Sequence, residues 1–235
     1  MSQSVSSTPR TIALGDIHGC YAALDKLLST IDLRKDDRLI VLGDVIDRGP
    51  QSRAVIERLL QLRDACQLLP ILGNHEQMLL DAVDGKMALQ DWLSHGGAET
   101  LDAYGPGAAL SILPEEHIEF LRSWPNYHET SGFFFAHGNY LADVKLSDQP
   151  WDWLRWESLR DLLPSCHLSG RTAILGHTSN KRGEILNLGY MVCIDTYCHG
   201  GGWLTALEPE TGKVWQTNER GASREGQLPP PQKTM

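Results

Sequence analysis

Long apolar runs are missing from this sequence: no stretch approaches the ~18 apolar residues that cross a bilayer, so none of it is expected to span a membrane as a helix. Positive charge is also short. Lys and Arg number 21 against 30 Asp and Glu, a formal net charge of -9, which argues against stable nucleic-acid binding, because that binding relies on basic groups displacing phosphate counterions. Cysteine is sparse and scattered, at Cys20, Cys66, Cys166, Cys193 and Cys198. Without a Cys-x-x-Cys pair there is no zinc-ribbon or redox motif, and the thiols are expected to be reduced core fillers in a cytoplasmic protein. Met1 to Pro9 has neither a basic start nor an apolar segment, so no secretory signal is expected there.

What is present looks like one sizeable domain: 235 residues, 41% hydrophobic and 22% charged. Thr11 to Asp16 reads as a buried strand running into a loop, and Tyr21 to Ile31 carries apolar residues at helical spacing. The pattern repeats with a strand from Arg38 to Asp44 and a helix from Ser52 to Ala65, then a strand from Gln67 to Asn74 and a helix beginning near His75. This order predicts parallel strands joined by right-handed crossovers. A helical insert over 86–124 follows. Strand patterns return at 132–137, 172–177, 184–188 and 191–195, and Trp203 to Gln216 reads as a hairpin turning at Pro209-Glu210-Thr211-Gly212. The catalytic domain is expected over 10–218, with a flexible segment 1–9 and a mobile polar tail 219–235 that has almost no apolar residues to bury.

The polar residues at the strand ends carry the chemistry. Five apolar runs close on metal-capable side chains: Gly15-Asp16-Ile17-His18-Gly19, Gly43-Asp44, Gly73-Asn74-His75-Glu76, Ala136-His137-Gly138 and Gly176-His177-Thr178. Each has a bland reading. An Asp or Asn caps a helix, Glu76 completes a first turn, and a lone histidine satisfies a backbone carbonyl. Jointly those readings fail, because C-terminal strand ends of an α/β sheet share one edge, where ligands bind. Five unrelated accidents would have to land on that edge.

These segments, with Gly43-Asp44-Val45-Ile46-Asp47-Arg48-Gly49, resemble the calcineurin-like metallophosphoesterases. More narrowly they are similar to the PPP-type Ser/Thr phosphoprotein phosphatases of bacterial and lambda-phage type and to the related symmetrical dinucleoside tetraphosphate hydrolases. The resemblance implies a four-layer α/β sandwich, mixed sheets flanked by helices, with the site at the C-terminal strand ends. It implies that Asp16 and His18 bind one divalent ion, that Asn74, His137 and His177 bind another, and that Asp44 bridges them. Mixed nitrogen and oxygen ligation suits Mn, with Fe and Zn as alternatives. His75 takes the family's general-acid position with Asp47 orienting it, and Arg48 the phosphate-binding position. Arg155, in Trp151-Asp152-Trp153-Leu154-Arg155, resembles the second phosphate-binding arginine, against the alternative of a surface arginine on an aromatic-rich helix. Gly138-Asn139 and Ser179 depart from the family pattern without removing a ligand.

The resemblance leaves the substrate open. A phosphoprotein is the first expectation, a dinucleoside tetraphosphate the alternative, and a non-catalytic phosphate-binding scaffold the reading from another class. Within the insert, Trp92 and Tyr104 either stack on a base or pack in the core. His95 and His199 are expected to serve substrate loops or structure rather than to bind metal.

Overall fold

The computed structural model describes residues 9–232; the remaining residues of the two expected flexible ends, 1–8 and 233–235, lie outside the described residues. Three β-α units open the chain: β1 (Thr11–Leu14), α1 (Tyr21–Ile31), β2 (Arg38–Val41), α2 (Ser52–Ala65), β3 (Gln67–Pro70) and α3 (Asn74–Val83). The insert holds short helices α4 (Leu89–Trp92), α5 (Ala98–Asp102) and α6 (Glu115–Arg122). Then come β4 (Tyr127–Glu129), β5 (Phe133–Ala136), α7 (Trp151–Trp156), β6 (Thr172–Leu175), β7 (Leu186–Asn187) and β8 (Met191–Cys193). Last are β9 (Leu204–Glu208), β10 (Lys213–Thr217) and β11 (Ser223–Gln227).

The strands form two mixed sheets, ordered β11-β10-β9-β1-β2-β3 and β4-β5-β6-β8-β7. β1, β2 and β3 run parallel as the β-α order predicts, and β5, β6 and β8 are parallel in the second sheet. Period-2 alternation builds the layers. Ile12, Leu14, Leu39 and Val41 face a core shared with α1 and α2, while Ala13, Ile40 and Leu42 face the other sheet. Phe135, Ile174 and Val192 meet them from that side, and Phe134, Ala173 and Met191 turn outward under Tyr140 and Leu154. The expected four-layer arrangement of helices, two sheets and a further cover follows. α1 is amphipathic by the same logic, burying Ala23, Leu24, Leu27, Leu28 and Ile31 and stopping where Asp32 enters the left-handed region at φ 53°.

The tail differs from expectation. Ser223–Gln227 pairs antiparallel with β10, with Lys213 opposite Gln227 and Thr217 opposite Ser223. All of its residues are exposed, and the strand is held by backbone hydrogen bonds, with Arg224 Nε donating to Gln216 Oε1 at 2.7 Å; these need no apolar residue and leave no hydrophobic pattern to read. Beyond it the Asn187 side chain donates to Pro229 O at 2.6 Å, and Gln232 N donates to Asn187 O at 2.7 Å. The cysteines are free, and Cys166 is exposed rather than a core filler. Among the described residues no helix is long and apolar enough to cross a membrane.

Candidate active site

The two parallel strand sets deliver their C-terminal loops to one place. β1 supplies Asp16 and His18, β2 supplies Asp44, Asp47 and Arg48, and β3 runs into Asn74 and His75 at the start of α3; β5 and β6 end at His137 and His177. Gly43 permits the convergence. It adopts φ 91°, and a Cβ there would lie 2.6 Å from Gly73 N, so the second and third loops approach more closely than any side chain allows. Left-handed backbone outside glycine is otherwise uncommon, yet His18, Asp44, Asp47, Arg48 and His177 all show it, with φ between 45° and 69°. Such conformations cost of order 1–3 kcal/mol each and persist where the surroundings over-determine them.

Asp44 lies at the centre. Its carboxylate is 3.5 Å from His18 Nε2, 3.3 Å from His137 Nε2 and 4.0 Å from His75 Nε2. Asn74 Oδ1 is 3.0 Å from both His137 Nε2 and His177 Nδ1, and those two nitrogens are 3.2 Å apart. Asp16 joins from the other side, both its oxygens accepting from the His177 amide at 3.1 and 3.0 Å. His18, Asp44 and His75 form one group able to hold a metal ion and Asp44, His137 and His177 a second, each with ligand atoms within 4.8 Å of one another. Of the six predicted metal ligands these groups contain His18, Asp44, His137 and His177, with Asp44 shared and His75, the expected acid, in the first; Asn74 Oδ1 touches both histidines of the second, and Asp16 is in neither group.

The donor chemistry fits cations. His18 Nδ1 lies 2.9 Å from Ile46 O, and His137 Nδ1 lies 2.7 Å from Leu42 O. Donation to those carbonyls through Nδ1 orients both rings with Nε2 toward Asp44, as in histidines that ligate metals through one nitrogen and are oriented through the other. The pocket draws positive charge. Burial would lower the His137 imidazole, but Asp44, with Asp16 and Glu76 behind it, carries it up to about 10. Burial also raises Asp44, yet His137 and His75 hold it well below the usual carboxylate range. Asp16 is pushed well up by burial and by the neighbouring Asp195. His177 is brought down to about 4 by burial and by His137.

His75 is bonded differently from the ligand histidines. Its Nδ1 is 2.7 Å from Asp47 Oδ2, where it donates to the carboxylate and turns Nε2 toward Asp44. Asp47 is fixed in turn by Trp92 Nε1, donating at 2.9 Å, and by Thr100 Oγ1, donating at 2.7 Å. Trp92 is fully buried, so it braces this pair and stacks on no substrate. Tyr104 is occupied by His117, its Oη 2.7 Å from Nδ1. Gly96 completes the insert's contact, its carbonyl accepting from Arg48 N at 3.1 Å.

The two arginines lie on different walls. Arg48 is exposed, with Nη1 2.8 Å from His18 Nε2. Arg155 sits on α7, which is tied to the His137 loop by Gly138 N donating to Leu154 O at 2.6 Å and Asn139 N donating to Trp153 O at 3.0 Å. Arg155 Nε donates to Asn126 Oδ1 at 2.8 Å, and its terminal nitrogens reach Gln77 and Asn126. Among the described residues no carboxylate forms an ion pair with it, so its charge is held by neutral amides and stays available to an anion. Burial lowers its pKa, which leaves it cationic at any physiological pH.

Sequence reasoning missed a second tier. Glu76 reads as a helix-capping residue, and it does accept from Gly73 N at 3.0 Å. Fully buried, it also accepts from Asp44 N and Val45 N, each at 2.8 Å, welding the second loop to the third. Burial and Asp44 push it up to about 7. His199 packs its ring 4.7 Å from His18, whereas His95 is exposed, its Nδ1 2.7 Å from Asp91 O. Cys20, Cys198 and Glu219 also meet behind His18, a proximity that spacing in the sequence hides.

Known proteins bear on this geometry. A symmetrical bis(5'-nucleosyl)-tetraphosphatase of Burkholderia pseudomallei is 32% identical over 173 residues, covering 71% of this chain and 56% of that protein. The chain thus spans little more than half the length of the curated relatives it matches. Among solved structures, a protein assigned as a candidate diadenosine tetraphosphatase superposes with a TM-score of 0.68 at 22% identity, covering 94% of this chain and 95% of the other. A cold-active protein-tyrosine phosphatase of a Shewanella species superposes with a TM-score of 0.60 at 19% identity, covering 93% and 80%. At these identities the two structures speak for the fold alone. Residues 9–201 match the calcineurin-like phosphoesterase family, and this chain belongs to it.

Proposed function

We propose that this chain is a two-metal phosphohydrolase whose substrate is a dinucleoside polyphosphate, cleaved at a phosphoanhydride into two nucleotides. The observation that carries the reaction class is the meeting of His18, His137 and His177 around Asp44, with Asn74 on the last two histidines and Asp16 on the His177 amide. Two divalent ions bound there would supply a water acidic enough to attack at neutral pH and would polarise the phosphoryl oxygens. Mn is the ion favoured by this mixed donor set.

The chain's own groups do the rest. Arg48 and Arg155 draw in the phosphoryl oxygens from two walls. The Asp47 carboxylate holds the proton on His75 Nδ1, so Nε2 presents its own proton to the departing oxygen. Trp92 and Thr100 keep Asp47 from turning, which keeps the His75 ring on line. Five sharply constrained loops fix these distances before substrate arrives, so little reorganisation accompanies reaction.

For the substrate, the relatives favour the dinucleotide over the phosphoprotein expected first from the motifs, since the curated match is a nucleosyl tetraphosphatase. Fold cannot choose, because a tyrosine phosphatase shares it. The test is a side-by-side measurement of kcat/KM with Mn on diadenosine tetraphosphate, a phosphopeptide and an aryl phosphate. The dinucleotide should give the highest value and yield two molecules of ADP. A preferred phosphopeptide would return the reading to a protein phosphatase, and no metal-stimulated turnover of any substrate by folded protein would leave a phosphate-binding scaffold.

A further inference from the structure

We propose that the cleft lined by Gln77, Asp81, Lys86, Asn126, Trp151 and Arg155 receives one nucleoside of the substrate, its base stacked on the Trp151 indole. The inference rests on the dinucleotide reading above and adds to it where the substrate's end is held.

Two walls of the cleft grow out of the metal pocket. α3 starts at Asn74 and carries Gln77 and Asp81, three and seven residues on and so close to one helical face. The helix rises roughly 10 Å between Asn74 and Asp81, about the reach of a nucleoside diphosphate from its terminal phosphorus to its base. α7 forms the opposite wall, tied to the His137 loop through the Leu154 and Trp153 carbonyls. A chain of phosphates leaving the pocket past Arg155 therefore enters this cleft. Its volume of about 530 Å³ falls within the roughly 300–1,000 Å³ usual for small-ligand sites.

The lining suits a nucleoside. Trp151 is 52% exposed despite its size, and the Arg155 guanidinium lies over one face of its ring, 5.2 Å from the centroid, which sets the indole beside the phosphate path and leaves its opposite face for a base. Sequence-tolerant stacking on an aromatic face is how proteins hold bases without reading them. The insert aromatics are not available for this: Trp92 is buried against Asp47 and Tyr104 is bonded to His117. Asp81 adds an acceptor. Among the described residues no donor pairs with its carboxylate, Lys86 being taken by Asp84 at 2.8 Å, so it is free to accept the ribose hydroxyls, as an acidic residue does in dinucleotide-binding folds.

The experiment compares the wild type with Trp151→Ala and Trp151→Phe on diadenosine tetraphosphate and on p-nitrophenyl phosphate. In Trp151→Ala the KM for the dinucleotide should rise at least tenfold more than any change on the aryl ester, and Trp151→Phe should restore most of it. Equal effects on the two substrates, or none on the dinucleotide, would overturn the inference while leaving the dinucleotide reading standing. If the wild type fails to cleave the dinucleotide, that reading falls, and the cleft is judged by inhibition of aryl-ester turnover. ADP should then inhibit more tightly than pyrophosphate, and Trp151→Ala should abolish the difference. An unchanged preference in the variant would overturn the inference.

Discussion

The strand-end pocket and the α7 cleft lie side by side and are built on opposite plans. In the pocket the central acids are buried and bonded more than once: Asp44 between three histidines, Glu76 under two loops, Asp47 beneath three side-chain donors. In the cleft the indole is half exposed with the arginine over one of its faces, the acid is unpaired and that arginine otherwise rests on neutral amides. The difference teaches where each kind of selectivity resides. Attack at phosphorus needs fixed charges and tolerates no slack, whereas recognition of the leaving group needs a surface that a ligand can complete. One fold can therefore host different phosphorylated substrates.

The sharpest break of that comparison is Asp44→Asn. It removes the group common to both metal clusters, so metal content should fall and turnover should drop on the order of a thousandfold; unchanged stoichiometry by elemental analysis would show that Asp44 bridges nothing. Next in size, His75→Asn should keep both metals yet lose roughly 10²–10⁴ in rate on an alkyl phosphate, and far less on an activated aryl ester. Equal losses would remove the acid role.

A third measurement separates proton from cation in the pocket. His137 holds its proton up to about 10 in the absence of metal, so an incoming ion must displace it over the whole neutral range. Apparent Mn affinity should rise about tenfold per pH unit from pH 6 to 9, and a flat profile would mean the ring is already neutral. Smaller again, Arg155→Ala should raise KM by roughly tenfold to a hundredfold with little change in metal content, the loss of a charged hydrogen bond being worth about 1.5–3 kcal/mol. Least of all for chemistry, removing residues after Arg220 should lower the melting temperature by a few degrees as β10 loses one of its two partner strands, with metal-dependent turnover of the folded fraction retained. An unaltered melting temperature would show that β11 adds nothing.

Much of the pocket was legible in order along the chain because its parts are local. A short apolar run followed by Gly-Asp or Gly-Asn-His is a strand and its terminal loop, and parallel crossovers force such loops to one edge. The bracing was not legible. Trp92 and Thr100 reach Asp47 from 45 and 53 residues away, a pairing no spacing announces, and Glu76 hides inside an ordinary capping pattern. The tail misled for the converse reason: Ser223–Gln227 has no apolar residue and pairs by backbone and polar side-chain contacts.

The sequence by itself determined the parallel β-α frame, the side chains that close each strand and hence the family, since strand period and turn chemistry act over a few residues. Only the tertiary structure decided which groups hold those side chains in line, which tryptophan stays open to solvent and where the tail docks. Those outcomes depend on contacts between segments far apart in the chain, where packing and hydrogen-bond satisfaction choose the partner and local propensity has no say.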